Sequence, residues 1–376
     1  MKFSRFNSGL VVFALIGGSA LAVAGCSAAP GSTSDDDDGD GGSSTNGSNA
    51  SSGSGFTGSN SSSGAGGCTD PSCIGGNPQG NCDMGLAIDS ADPMDGARAM
   101  GLCKVAEGAS SWGVITAEWV TAHGLPLTGA LSRGKGILDN FGNVVVPREG
   151  ANMLALSSGS ARNPGDPEYF SPGGDNKDPS PHSLPPGYNV TESPACPGVT
   201  TGLPYDSASL RVTLKVPSDA KSLNFDFDFY TYEYPDYICS TYNDFFVAIM
   251  NPAPPGAVSG NISFDSDGNT ISVNAGFMNA CMPSMAGGKN FTCPSGYGEI
   301  VGTGFDDNIP FTVPISQGSA ATSWLVTTAP VTPGSEITLL FSAWDSGDGV
   351  LDSTVLIDNF KFDVDETSTG TTPIPQ

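Results

Sequence analysis

Histidine is nearly absent: His123 and His182 are the only two, against 39 aspartates and glutamates. The chain has no H-E-x-x-H helix, and neither histidine neighbours a candidate nucleophile, so no Ser-His-acid set is formed. Basic residues are scarce as well. Fourteen Lys and Arg leave a formal net charge of −25, which disfavours nucleic acid and anionic lipid surfaces as partners. No C-x-x-C pair is present, which removes the usual zinc spacing. Ser157-Ser158-Gly159-Ser160 lacks the leading glycine of a nucleophile elbow. Nor is there an uninterrupted apolar run of the roughly 20 residues a bilayer span requires. These absences lead to the expectation that the chain is not an enzyme.

The apolar stretch that does exist lies at the start. Lys2 and Arg5 precede a run from Leu10 to Ala24, broken by Gly17 and Gly18 and closing in Val23-Ala24-Gly25-Cys26. A positive region, a short apolar region and small residues before a cysteine form a lipobox, so residues 1–25 are expected to be a lipoprotein signal peptide. Cys26 is then the lipidation site, carrying acyl chains of the palmitate kind that hold the mature chain on a membrane. Ser27 in place of aspartate favours the outer membrane and the cell surface.

Residues 27–67 are almost entirely Ser, Gly, Asn, Asp and Thr, with only Phe56 large and apolar. Such a composition cannot bury enough surface to fold, and residues 26–67 are expected to be a lipidated cysteine followed by a disordered stalk. Beyond it stand eight cysteines: Cys68, Cys73, Cys82, Cys103, Cys196, Cys239, Cys281 and Cys293. An even number in an exported chain reads as four disulfides, with 105 possible connectivities. Cys82 with Cys103 and Cys281 with Cys293 are the favoured pairs, because each encloses one short unit of local structure. Cys196 is placed to pin the proline- and glycine-rich stretch 162–204.

Asp92 followed by Pro93 marks a helix start, and Gly101 its end, within a cysteine-rich segment at 68–110. Strand signals follow at 112–122, 153–157, 209–216, 222–230, 245–250, 270–274, 323–328, 336–343 and 354–362. In 222–230, Leu223, Phe225, Phe227 and Phe229 alternate with Asn224, Asp226, Asp228 and Tyr230, which predicts one buried face and one wet, acidic face. Short strands separated by Gly/Pro/Asp turns indicate an all-β sandwich or jelly roll over 111–364, with a disordered tail at 365–376.

Two acidic groups end strands. One runs from Phe229 through Tyr232, Glu233, Tyr234 and Tyr237 to Tyr242-Asn243-Asp244-Phe245; the other runs from Trp344 through Asp345, Asp348 and Asp352 to Asp358. Calcium takes six to eight oxygens, and carboxylates spaced three and four apart around glycines suit it. Glu233, Asp244, Asp345, Asp348, Asp352 and Asp358 are therefore candidate calcium ligands, although Asp-Ser-Gly-Asp-Gly is equally readable as solvated turns. Tyr232, Tyr234 and Tyr237 are candidate ligand-binding residues for a glycan or a protein, with core packing as the plainer reading. Asp265-Ser266-Asp267-Gly268-Asn269 lacks the spacing of an EF-hand loop and reads as a hairpin turn.

From about Cys82 to Phe362 the chain resembles the choice-of-anchor L family of bacterial surface proteins, in a form typical of myxobacteria. The resemblance rests on Ile137-Leu138-Asp139-Asn140-Phe141-Gly142 and Met153-Leu154-Ala155-Leu156-Ser157-Ser158-Gly159. It continues through the segment around Glu233, Tyr242-Asn243-Asp244-Phe245, Trp344-Asp345-Ser346-Gly347-Asp348-Gly349 and Asp358-Asn359-Phe360. It implies a displayed β-rich domain and no transferable activity. The expected function is a lipid-anchored surface module, calcium-stabilised, for adhesion or ligand binding. The alternatives are a glycan hydrolase using a carboxylate pair such as Glu233 and Asp244, or a passive envelope protein.

Overall fold

In the computed structural model the described residues are 82–108, 110–174, 176–306 and 318–375. Cys26, the leader, the stalk, Cys68 and Cys73 lie outside them. The first element is a helix, α1 (Pro93–Ala99), whose Asp92 side chain accepts from the Met94 N–H. Proline at the first helical position needs no donor there, and the chain leaves the helix through Gly101 at φ 96°. Strands follow in order: β1 (Gly113–Val120), β2 (Lys135–Leu138), β3 (Met153–Ser157), β4 (Pro204–Lys215), β5 (Ser222–Thr231) and β6 (Phe245–Asn251). The remainder are β7 (Ser284–Ala286), β8 (Lys289–Phe291), β9 (Ala320–Ala321), β10 (Leu325–Pro330), β11 (Glu336–Ser346), β12 (Ser353–Asp363) and β13 (Gly370–Pro373).

Two antiparallel sheets face each other. One has the order β1-β4-β11-β6, the other β13-β10-β5-β12-β3-β2 with β9 beside the end of β5; β7 and β8 form a separate hairpin. The fold is all-β and sandwich-like, as the strand spacing implied. Leu210, Val212, Leu214, Phe246, Leu339 and Phe341 from the first sheet meet Leu154, Phe225, Phe227, Phe229, Val355 and Ile357 from the second. Ala97 and Ala99 of α1, with Met100 at its C-cap, pack into the same core.

Several expectations are corrected. The face of β5 expected to be wet is not: Asp226, Asp228 and Tyr230 are buried and Asn224 is half-buried. A second apolar layer covers that face, with Phe141, Val145, Ile300 and Phe305 packed on Tyr230, Tyr232, Ala155 and Leu356. The stretch 162–204 performs the same service for the opposite sheet, where its Tyr188 packs on Trp344, Val247 and Phe245. This explains why β6 is apolar on both faces, with only its last residue exposed. Residues 270–274 form isolated bridges in place of a strand. The expected disordered tail contains β13, which pairs with β10 from Thr328 to Leu325, and the Thr327 and Thr371 hydroxyls meet at 2.8 Å.

Disulfides join Cys82 to Cys103, Cys196 to Cys239 and Cys281 to Cys293. The first and third enclose the short units singled out above. The second ties the 162–204 covering segment to the loop after β5, which carries the acidic cluster. Among the described residues no helix is long and apolar enough to cross a membrane.

Candidate functional site

Five strand ends converge at one rim of the sandwich. β5 and β11 finish there, while β4, β6 and β12 begin there. Because antiparallel neighbours bring starts and finishes together, Glu233 just after β5, Asp244 just before β6, Asp345 at the end of β11 and Asp352 just before β12 are gathered although far apart in sequence. A register shift in the β11–β4 pairing between Ala343 and Asp345 re-aims the end of the strand. β4 adds Asp206, at φ 49° and fully buried.

Glu233, Asp244, Asp345, Asp352 and Asp206 are all buried, whereas Asp348 is exposed. The contacts are backbone donors in the main. The Asp244 N–H donates to Glu233 Oε2 at 2.9 Å, and the Ser346 N–H to Asp244 Oδ1 at 3.2 Å. Asp206 accepts from the Lys177 N–H at 3.0 Å and from the Asp178 N–H, and so fixes the 176–178 segment beside the cluster. His182 Nε2 lies 2.8 Å from Asp178 Oδ2, and its ring stacks on His123 with 4.3 Å between centroids.

Demand nevertheless exceeds supply. Asp345 Oδ2 and Asp244 Oδ2 accept no hydrogen bond, and neither amide atom of the fully buried Asn243 finds a partner. The acids also feel one another. Burial, and then the charge of Asp345, pushes Glu233 well up; burial, Glu233 and Asp345 push Asp244 well up. Burial and Asp348 push Asp345 up to about 8, with the Gly349 and Val350 N–H groups opposing. Asp348 itself is raised by partial burial. A cluster of this kind holds its charge at neutral pH only when a cation offsets it. Among the described residues no three His, Cys, Asp or Glu side chains stand ready-placed around one metal position.

Asp358 does not join the others. It lies further along β12, opposite Asp226, where its Oδ2 accepts from the Arg148 and Glu149 N–H groups at 2.6 and 3.1 Å and its Oδ1 from its neighbour Asn359 at 2.6 Å. Burial raises it to about 7 against those donors. It anchors a turn and has no oxygen to spare for the rim.

The tyrosines divide similarly. Tyr232 is buried against Phe305, and Tyr234 is buried against Phe291 with its hydroxyl donating to the Met282 carbonyl at 2.6 Å. Both are core residues and offer no surface to a ligand. Tyr237 is half-buried and meets the exposed Tyr242 edge-on at 5.9 Å. Glu233 and Asp244, the suggested hydrolytic pair, are both sealed from solvent. Asp265 closes a turn, accepting from Asp267 and Asn269 N–H groups at 3.0 and 2.8 Å.

Sequence reasoning passed over Asp206. Nothing in its local sequence marks it, and only the central place of β4 between β1 and β11 brings it to the rim.

No curated protein matches the chain. A family model does match, over residues 198–363, from just before β4 to the end of β12; the Ile137–Gly142 and Met153–Gly159 motifs fall outside the matched stretch, although β2 and β3 complete the same sheet. With the sandwich, the rim and that match together, residues 198–363 of this chain are a Choice-of-anchor L domain.

Proposed function

We propose that this chain is a lipid-anchored cell-surface protein whose sandwich holds calcium at the rim formed by Glu233, Asp244, Asp345 and Asp348, and displays that rim for adhesion or ligand binding. One observation carries the reading: a group of mutually repelling buried carboxylates, with oxygens on Asp244 and Asp345 that accept no hydrogen bond and an Asn243 amide without a partner, adjoins the exposed Asp348. Desolvated anions packed together are unfavourable by several kcal/mol each in a real protein, and a divalent ion offsets that cost. Calcium fits the donor chemistry, since its shell accepts carboxylate, amide, carbonyl and water oxygens in flexible number. Gly347 and Gly349, both at positive φ, let the 345–352 loop close on the ion. The Choice-of-anchor L domain fits a surface-associated β-rich protein, and the lipobox at Cys26 supports a lipid anchor at the outer membrane.

Thermal melting of the full-length chain in calcium, magnesium and chelator tests the metal half. Calcium at millimolar concentration is expected to raise Tm by several degrees over magnesium. An equal response to the two ions refutes the site. Mass spectrometry of the native chain tests the anchor half, where an unmodified Cys26 thiol refutes lipidation.

A further inference from the structure

The only two histidines in the chain lie against each other. His123 stands in the turn that follows β1, and His182 in the 162–204 covering segment; their rings stack at 11° with 4.3 Å between centroids. Both sides are anchored. The turn closes through the Thr121 N–H on the Leu125 carbonyl at 2.7 Å and the Gly124 N–H on the Thr121 carbonyl at 2.9 Å. On the covering side the His182 N–H donates to the Pro204 carbonyl at 2.8 Å, and the Asp178 N–H donates to Asp206. The stack borders the apolar layer over the β1-β4-β11-β6 sheet, where Val120 and Ala122 pack with Tyr188 and the half-buried Leu184. Further along, the Cys196–Cys239 disulfide holds the same segment covalently.

The two rings are unequal hosts for a proton. His182 Nε2 faces Asp178 Oδ2 at 2.8 Å, so a charge there meets an anion. A charged imidazole donates from both nitrogens, yet His123 Nδ1 is buried without a partner. The charged groups around the stack are Asp178, with Asp206 behind it, and the Arg211–Glu118 pair of β4 and β1, whose Arg211 comes within 3.5 Å of where a Cβ on Gly124 would lie. We infer that the stack is an acid-released latch: it seats the 176–190 part of the covering segment at neutral pH and lets it go once both rings are charged. Burial and then His182 hold His123 below the ordinary imidazole value of 6.5, against the pull of Asp178. Its stabilisation is therefore complete above 6.5 and is lost as pH falls from there through the lowered folded value. Asp228 and the rim acids, raised by burial, take up protons over the same descent and favour the folded chain, so the cover opens at one end while the sandwich stays folded. Opening there withdraws from the rim the Asn176 amide, which donates to the Asp348 carbonyl at 3.2 Å.

Hydrogen–deuterium exchange of the full-length chain at pH 7.5 and pH 5, read by mass spectrometry and corrected for the intrinsic pH dependence of exchange, tests the latch. In wild type the amides of 178–190 and of the 121–125 turn are expected to exchange about fivefold or more faster at pH 5, while those of β5 and β11 stay unchanged. His123→Phe keeps a stacked ring that carries no proton, and is expected to exchange slowly at both pH values. Because only two histidines are present, their ring C–H resonances give a second reading that needs no substitution, and one of them is expected to titrate below 6.5. No gain in wild type, an equal gain in His123→Phe, a gain shared by β5 and β11, or two ring titrations at or above 6.5 would each overturn the inference.

Discussion

The middle of the β5–β12 strand pair and the rim of the sandwich both bury acids, and they treat them in opposite ways. In the middle Asp358 receives three backbone N–H groups, while Asp226 receives the Arg148 Nε at 3.2 Å and the Asn359 amide at 2.9 Å. At the rim Glu233, Asp244 and Asp345 repel one another, and Asp244 and Asp345 each keep an oxygen that accepts no hydrogen bond. The first arrangement is self-sufficient and therefore structural. The second leaves oxygens without donors, and the proposed calcium would satisfy them.

The comparison breaks most forcefully at Asp358. Truncating the buried Asp358 with Asp358→Ala strands three backbone donors and is expected to destabilise the chain by about 3 kcal/mol, equally with and without calcium. Urea unfolding in both conditions measures this, and a calcium-dependent difference would move Asp358 to the other class. Asp345→Asn comes next, with the opposite signature. In chelator it removes an acid whose folded-state pKa is raised to about 8, so at pH 7 the folded chain no longer binds a proton the unfolded chain releases, and stability rises by about 2 kcal/mol. In calcium the same substitution removes a ligand, and the calcium-induced rise in Tm disappears.

A third carboxylate group sharpens the contrast because it is deficient in a different way. Tyr230 Oη lies 3.0 Å from Asp228 Oδ2 and 3.2 Å from Glu299 Oε1, and the Thr322 and Ser323 hydroxyls serve the outer oxygens at 3.2 and 2.7 Å. Burial, then the Glu299 charge, pushes Asp228 well up, so folding favours the protonated form of Asp228. The folded state binds this proton where the unfolded state has lost it. Its stabilisation is full below the ordinary carboxylate pKa and declines as pH rises toward the raised folded value, by at most about 1.4 kcal/mol per pH unit. The Asp345→Asn background takes that rim acid out of the titration. Melting from pH 5 to 8 is then expected to show a decline that Glu299→Gln flattens; an unchanged slope would remove the proton from this pair. The smallest effect belongs to Arg148→Met. Its guanidinium is over a third exposed, and loss of the Asp226 contact is expected to change stability by about 0.5 kcal/mol in equilibrium unfolding.

These groups differ in how far they were legible beforehand. Strand alternation and turn residues located β3, β5, β6, β11 and β12 closely, because period-two burial is a local property of the chain. The wet face assigned to β5 was wrong for a reason no local window contains: segments around Phe141 and Phe305, over 70 residues away on either side, cover it. The same remote cover turned Tyr232 and Tyr234 from candidate ligands into core. At the rim, Glu233, Asp244, Asp345 and Asp348 stood out as acids at strand ends. Asp206 did not, since its place there depends on sheet order, and Asp358 looked like the others until its three donors were located.

The unbonded oxygens of Asp345 and Asp244 are proposed to belong to calcium. Equilibrium dialysis of radioactive calcium against the full-length chain, its Asp345→Asn variant and its Asp358→Asn variant tests it most directly. At least one ion per chain is predicted for wild type and Asp358→Asn, with loss of that ion in Asp345→Asn. Calcium bound equally by all three, or by none, would contradict it.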